Sequence, residues 1–228
     1  MAVMQVIHIH LYSKATIYLN FLVITNVGII LNAMSDFNLY FTLGREHIAN
    51  ITALDHILFI AALCTRYQFA DWKKILILVT AFTIGHSITL ALSVLNVVHF
   101  STRWIEFLIP VTILITAISN FFVKKFVFKA KFPVIYFFAL FFGLIHGLGF
   151  SNYLKSLLGK DQNIIWQLFA FNCGLEVGQL IIVLIILVIA FILVQIFSVN
   201  RRYYLLFLSA VIIALSLEMC LQRMPFHF

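Results

Sequence analysis

The sequence predicts an all-α, polytopic transmembrane helical bundle of six to seven membrane-spanning helices. Hydrophobic residues make up 64% of the 228 residues and charged residues only 10%, whereas roughly a quarter of a soluble domain is charged. Apolar runs of about 20 residues, the length that crosses a bilayer as a helix, recur along the chain with short polar loops between them. Helices are expected because hydrocarbon offers no hydrogen-bond partners to backbone N–H and C=O groups, and a helix pairs them internally. No room remains for a separate soluble domain.

Seven apolar runs are predicted to span the membrane. The first is the weakest, because asparagines and threonine dilute it. The predicted spans are 17–33, 51–64, 75–95, 104–122, 134–150, 164–197 and 203–221. The sixth would be about 50 Å long as one helix, more than the ~30 Å hydrocarbon layer. It must therefore tilt, break or protrude, and Gly174 and Gly178 are natural positions for a bend or for a close helix contact.

Basic residues fall in alternate loops, which predicts the orientation of the bundle. The loops that carry them are 66–74, 124–131 and 198–202, and the positive-inside rule makes these loops cytoplasmic. This bias also explains most of the net charge of +7, so we expect no nucleic-acid partner. Three widely spaced cysteines in apolar runs (Cys64, Cys173 and Cys220) predict neither a disulfide framework nor a CxxC metal site.

Ionisable side chains occur at four places in or beside the predicted spans, and the topology puts all four in the outer half of the bilayer. They are His47 with Asp55 and His56, His86 followed by Ser87, His146, and Glu176 between Asn172 and Gln179. Such groups are costly in hydrocarbon and mark functional sites by default. Imidazole and carboxylate without thiolate suit Zn, Ni, Co or Fe. We therefore predict an intramembrane metal site. The alternative is a scaffold in which the polar groups only hold helices together.

Helical spacing indicates which polar residues face protein. Asn172, Glu176 and Gln179 share one helix face, and Thr80, Thr83 and Ser87 share another. Gly143 and Gly147 flank His146, as Gly174 and Gly178 flank Glu176, which predicts close helix approach at both places. Glu106 is expected in an interfacial ion pair, or lining a cavity with Thr116 and Asn120.

Four motifs together resemble the HupE/UreJ family of hydrogenase and urease accessory membrane proteins. The motifs are EHIANITALDHILFIAALC, FTIGHSITLAL, FFGLIHGLGFSNYL and FNCGLEVGQL, and the resemblance covers about residues 35–221. It implies a multi-pass protein of the bacterial cytoplasmic (inner) membrane that is nickel or cobalt permease-like. The histidine and acidic positions of the family fall on His47, Asp55, His56, His86, His146 and Glu176, which are the implied metal ligands.

The resemblance also divides the chain. Relatives commonly begin near MSDF, so Met34 is an alternative start. Residues 1–33 then form an N-terminal extension with an additional span, and residues 34–228 form the family domain. This sequence has Asn50 and Ala53 where relatives tend to have Asp and Gly, which leaves no carboxylate at position 50.

Two functions from different classes remain open, and the transporter is favoured over the enzyme. In the first, the protein is a nickel or cobalt permease or accessory protein that carries the metal as cargo. In the second, it is an intramembrane zinc-dependent hydrolase or acyltransferase acting on lipid or lipoprotein in the outer half of the bilayer. His56, His86 and His146 would then hold zinc, Asp55 or Glu176 would be the base, and Ser87 would contact the oxyanion or substrate. Membrane lipids and a metal ion are the expected partners, and a homo-oligomer is an open alternative to a monomer.

Overall fold

The computed structural model describes residues 34–51, 54–123, 126, 134–158 and 164–225. Within those ranges the chain is helical and contains no strand, which confirms the predicted all-α fold. The predicted first span, 17–33, lies outside the described residues. The chain divides into two compact units, 1–39 and 40–228. The described part of the first unit is the beginning of one helix.

Seven helices make up the described structure. They are α1 (Met34–Ala49), α2 (Leu54–Cys64), α3 (Trp72–Val94), α4 (Thr102–Ser119), α5 (Ile135–Leu158), α6 (Ile164–Phe191) and α7 (Arg201–Gln222). Helices α3 to α7 are long and apolar enough to cross a membrane. Helices α1 and α2 meet at a bend of 69° and could together form a sixth, broken span. The described chain therefore contains five such helices, or six spans if the bent pair is one.

Helix α1 occupies a stretch of mixed, polar composition that lies between the first two predicted spans. Its buried side is formed by Tyr40, Gly44 and Ile48, one helical turn apart. A Cβ atom added at Gly44 would overlap the carbonyl oxygen of Phe171 on α6. Many residues of the other faces are exposed and polar. The mixed composition thus reflects a helix with one buried side.

Helix α6 changes its helical geometry at its far end. It is α-helical to Phe191 and then turns into a π-helical segment, Ile192–Ile196. Gly174 and Gly178 cause no break, but they do allow close contact with α1. An added Cβ would overlap the carbonyl oxygen of Phe41 at Gly174 and the side chain of Ile48 at Gly178. The predicted close contact is confirmed. Helix α5 also differs from its prediction, because it continues to Leu158 instead of ending at residue 150.

Helices α3 and α5 pack backbone against backbone. A Cβ atom added at Gly85 would overlap the carbonyl oxygen of Leu140, and one added at Gly143 would overlap that of Phe82. At Gly147 it would overlap the carbonyl oxygen of His86. The close approach predicted around His146 is thereby confirmed. Its consequence is that His86 lies directly beside the histidine-bearing segment of α5.

Substituting Gly143 with alanine should therefore destabilise the bundle. The methyl group meets backbone that cannot rotate away, and such overpacking costs about 1–3 kcal/mol. Gly149→Ala is the matched control, because its added methyl meets the end of the Ile109 side chain at 2.9 Å, which can move. Thermal unfolding in detergent should show a lower midpoint for Gly143→Ala than for Gly149→Ala. Equal midpoints would contradict the close packing of α3 on α5.

Arginines from two of the basic loops meet at one end of the bundle. Arg66 donates to Asn120 Oδ1 (Nε at 3.0 Å) and to Ser119 Oγ at 2.7 Å. Arg201 donates to the carbonyl oxygen of Arg66 at 2.8 Å, and Arg202 donates to that of Phe121 at 2.8 Å. These bonds tie the ends of α2, α4 and α7 together. That this basic end is cytoplasmic stays a prediction.

Candidate metal site

Three helices bring three histidines into one cluster near the opposite end of the bundle. His47 comes from α1, His56 from the first turn of α2 and His86 from the middle of α3. One ring nitrogen from each lies within 4.8 Å of the others. The ring centroids are 4.6 Å apart for His47 and His56, and 6.0 Å apart for His47 and His86. The break between α1 and α2 is what allows two histidines nine positions apart to face each other.

His146 on α5 adds a fourth imidazole beside this group. Its ring centroid is 5.3 Å from that of His56. Phe59 and Phe82 pack against it, each with a centroid distance of 5.2 Å. We call His47, His56, His86 and His146 the histidine cluster.

The histidine cluster is buried and short of hydrogen bonds. The exposed fraction is 7% for His56, 0% for His86 and 1% for His146. Among the described residues, six buried ring nitrogens have no hydrogen-bond partner: His47 Nε2, both nitrogens of His56, both of His86, and His146 Nδ1. A buried polar atom without a partner costs about 1–3 kcal/mol. Six in one place would be costly unless a further group satisfies them, which is the situation of a metal site.

Thr112 on α4 determines which nitrogen of His146 carries the proton. The Thr112 hydroxyl donates to the carbonyl oxygen of Ile109 at 2.6 Å. Its oxygen lies 3.3 Å from His146 Nε2. Because the single hydroxyl proton is already used, Nε2 must be the donor in that contact. The neutral ring then has its lone pair on Nδ1, the nitrogen without a partner. Thr112 thus leaves Nδ1 able to bind a metal, since a residue that hydrogen-bonds to a ligating histidine fixes its tautomer and ring orientation.

An open cavity of about 400 Å³ reaches the histidine cluster. It is lined by His47, Asp55, His56, Glu106, Ile109, His146, Gly149, Phe150 and Arg223. Phe150 forms an aromatic wall, with its ring centroid 3.8 Å from that of His47 and 5.1 Å from that of Phe171. Three of the four histidines therefore line a space large enough for a hydrated ion or a small ligand.

Asp55 lies in the cavity wall but already has a cationic partner. Its Oδ2 atom is 2.6 Å from Nη1 of Arg223, just after α7. The side chain of Asp55 is 12% exposed and that of Arg223 is 33% exposed. The predicted ligand Asp55 is thus next to His56, with its carboxylate held by a guanidinium. The sequence analysis missed Arg223. The signal was its position at the outer end of the last span, at the same predicted depth as Asp55.

Glu176 is away from the grouped histidines. It accepts a hydrogen bond from the Thr80 hydroxyl at 2.7 Å, and Gln179 accepts one from Thr83 at 2.7 Å. Because Thr83 is one turn of α3 from His86, these pairs continue a polar path from the histidine cluster to Glu176. We call these four residues the α3–α6 polar path. The two predicted polar stripes do face each other there, as the spacing indicated.

The remaining candidate residues differ in whether they line the cavity. Ser87 donates to the carbonyl oxygen of Thr83 at 2.7 Å and is not among the residues lining the cavity. Glu106 does line the cavity. Asn120 is at the basic end with Arg66, so it and Glu106 do not share a cavity.

The donor set matches a borderline transition metal. The grouped residues in the described chain are all histidines, and the imidazole nitrogen suits Zn, Ni, Co, Cu(II) and Fe. Ligand atoms at about 2.0–2.1 Å from a tetrahedral ion lie roughly 3.3 Å apart. The observed spacing of up to 4.8 Å is wider than that value, so the three side chains would have to move closer together to hold one ion.

Fold and site together define the class, a polytopic helical membrane protein with a buried histidine cluster that borders an open cavity. A family model described as HupE / UreJ protein matches residues 21–223. The chain belongs to the HupE/UreJ family. The matched region contains the whole histidine cluster, Asp55 and Arg223, and it begins upstream of Met34. Neither the curated proteins nor the solved structures contain a match to the chain.

Proposed function

We propose that this protein binds and moves a divalent transition metal of the nickel or cobalt type across the bacterial cytoplasmic membrane. In this role it would supply a urease or hydrogenase maturation system. The observation that carries the proposal is the set of six buried, unpartnered ring nitrogens in the histidine cluster. Imidazole is a ligand for which such ions have high affinity. A family that handles nickel or cobalt is consistent with this donor set.

The cavity supplies the entry side of the proposed route. Two carboxylates, Asp55 and Glu106, line it together with three of the histidines. Carboxylates attract a hydrated cation, and the imidazoles then replace part of its water shell. Because the four histidines come from four helices, a small relative movement of those helices changes the number of ligands. Conduction needs such modest, shared coordination.

The α3–α6 polar path supplies a direction beyond the histidine cluster. Its residues are bonded across the two helices at 2.7 Å in both pairs. Glu176 carries its only carboxylate and is half-buried. A half-buried carboxylate on such a path is suited to receive a cation from His86.

Replacing Glu176 with glutamine should slow transport without weakening the first binding step. We expect nickel uptake into proteoliposomes to fall about tenfold or more, because the amide keeps the Thr80 contact but loses the charge. Metal affinity of the purified protein should stay within about twofold of wild type. Glu218→Gln is the matched control, since Glu218 contacts Gln222 on the exposed side of α7. Uptake equal to that of the control would remove Glu176 from the route.

Replacing Thr112 with valine should weaken metal binding. Valine has nearly the same shape but cannot accept from His146 Nε2, so the ring is free to present the wrong nitrogen. Loss of a residue that hydrogen-bonds to a metal ligand typically costs 10–100-fold in metal affinity. Thr112→Ser is the control because it keeps the hydroxyl. Isothermal titration with nickel should separate the two variants, and equal affinities would contradict the assigned tautomer.

A zinc-dependent membrane hydrolase or acyltransferase is the second candidate, and the position of Glu106 favours it. Glu106 lines the same open cavity as His56 and His146, where a carboxylate could serve as general base to a zinc-bound water. Asp55 is less suited to that role because Arg223 holds it. Ser87 and Glu176 do not line the cavity.

Two measurements on one preparation distinguish the candidates. Wild-type protein in proteoliposomes should take up nickel or cobalt, and His56→Ala protein should not. The same wild-type protein, loaded with zinc in detergent, should not hydrolyse phospholipid or lipopeptide substrates. Hydrolysis that requires His56 and Glu106, without metal uptake, would replace the permease by the enzyme.

A further inference from the structure

A second cavity lies at the basic end of the bundle, away from the histidine cluster. Its volume is about 190 Å³. It is lined by Thr65, Tyr67, Gln68, Phe69, Ala70, Leu187, Ala190, Phe191, Val194, Gln195, Arg201 and Tyr204. Most of the polar residues come from the α2–α3 connection and the start of α7, and Gln195 comes from the π-helical segment. The aliphatic residues come mainly from the end of α6. The cavity is therefore amphipathic.

Tyr204 lines this cavity and carries a buried, unused donor. The residue is 7% exposed, and its hydroxyl is buried without a hydrogen-bond partner among the described residues. A buried tyrosine hydroxyl normally has a partner. The Tyr204 hydroxyl is thus suited to a ligand with an acceptor oxygen.

Arg201 adds a fixed positive charge to the same wall. Its guanidinium donates through Nη2 to the carbonyl oxygen of Arg66 and lies 3.9 Å from the ring centroid of Phe126. A guanidinium has five N–H groups, so the remaining donors are available to an anion. Asp71, whose charge acts on Arg201, is itself paired with Lys74 at 2.8 Å.

Tyr67 is a further neutral hydroxyl at the cavity. Burial raises the pKa of Tyr67 to about 12, although the neighbouring Arg66 guanidinium opposes this shift. The phenol is protonated at neutral pH and adds no negative charge. Arg201 is therefore the charged residue among those that line the cavity, and the wall is net positive.

The apolar side of the cavity distinguishes a lipid from a free anion. The buried Leu187 and Ala190 and the half-buried Val194 form the apolar wall of the cavity, and the exposed Leu184 and Val188 continue this strip along α6. A free phosphate makes no favourable contact with such an apolar strip, whereas an acyl chain would pack along it. The π-helical turn that carries Val194 is a feature often found at functional sites.

We propose that this cavity binds the phosphate of an anionic phospholipid, with Arg201 and the Tyr204 hydroxyl as its donors and an acyl chain along α6. Anionic lipids are enriched in the cytoplasmic leaflet, and pockets of basic residues between helices bind their head groups. This is the leaflet that the positive-inside rule predicts for the basic end. The inference uses none of the residues of the histidine cluster and does not depend on the proposed metal transport.

The test measures lipid binding by native mass spectrometry of the purified full-length protein in detergent. Phosphatidylglycerol and phosphatidylcholine with the same acyl chains are compared, with inorganic phosphate added as a competitor in a third arm. Wild type should retain phosphatidylglycerol roughly tenfold more tightly than phosphatidylcholine. Equal retention of both lipids would overturn the proposal. Displacement by millimolar phosphate would assign the cavity to a free anion and would also overturn it.

Two tyrosine variants test whether phosphatidylglycerol binds in this cavity. Tyr204→Phe removes only the unpartnered hydroxyl and should weaken phosphatidylglycerol binding roughly tenfold. Tyr203→Phe is the matched control, since Tyr203 is 70% exposed and is not among the cavity residues. Because the Tyr204 hydroxyl has no hydrogen-bond partner in the part of the chain that the structure describes, lipid-free Tyr204→Phe should unfold at the wild-type temperature or above. Phosphatidylglycerol binding that is the same in both variants would overturn the assignment.

Discussion

Replacing His86 with phenylalanine is expected to lower the affinity of the purified protein for nickel or cobalt by more than about 100-fold. His86 is fully buried, and both of its ring nitrogens lack a partner among the described residues. Loss of a residue that only hydrogen-bonds to a ligand lowers metal affinity 10–100-fold. Loss of a ligand itself should therefore lower the affinity further. Isothermal titration and metal content after dialysis measure the change.

The thermal stability of the variant shows whether His86 is a metal ligand or a packing residue. Phenylalanine keeps most of the volume of His86 and removes the two unsatisfied nitrogens, so the metal-free variant should unfold at or above the wild-type temperature. Wild type should gain stability when nickel is added, and the variant should not. His99→Ala is the control, because His99 is exposed in the α3–α4 loop. A His86→Phe protein that still gains stability with nickel would show that His86 only holds helices together.

Substitutions at the two ends of the Asp55–Arg223 ion pair should change metal affinity in opposite directions. Asp55→Asn leaves the Arg223 guanidinium uncompensated in the wall of the cavity, where it repels a divalent cation. Arg223→Gln frees the Asp55 carboxylate next to His56, where it attracts one. Each change should be on the order of tenfold, because one unit charge about 10 Å from a divalent ion contributes about 1–2 kcal/mol at the effective dielectric of roughly 40–80 that suits partly exposed side chains.

The double variant completes the comparison. Asp55→Asn with Arg223→Gln removes both charges, so its metal affinity should lie near that of wild type. Titration at low and at high salt should also show smaller differences at high salt, since both side chains are partly exposed. If the two single variants shift affinity in the same direction, the ion pair acts on the fold and not on the ion.

Much of the fold could be predicted because the physical constraint is strong. Apolar runs long enough to span a bilayer must be helices, and α3 to α7 appear where such runs were found. Helix α1 was missed because its composition is mixed and only the side at Tyr40, Gly44 and Ile48 is buried. The π-helical end of α6 could not be foreseen either, since no residue in Ile192–Ile196 has a breaking signature.

The candidate site was predicted in part, for a related reason. Histidines in hydrocarbon stand out in a sequence, and the four at the predicted depth do lie together. The partners of the acidic residues could not be read from spacing, because they come from helices distant in the chain. Arg223 holds Asp55, and Thr80 holds Glu176. Thr112 was also missed, since a threonine in an apolar helix gives no sign of the histidine it contacts.

We propose that buried imidazoles from separate helices hold one divalent ion. X-ray absorption at the nickel edge of the loaded, purified protein identifies the atoms that surround the ion. The predicted spectrum has only nitrogen and oxygen neighbours, with the outer-shell scattering of three or four imidazoles, and loses that scattering in His56→Ala protein. A sulfur neighbour, or a spectrum of hydrated nickel that His56→Ala leaves unchanged, would contradict the claim.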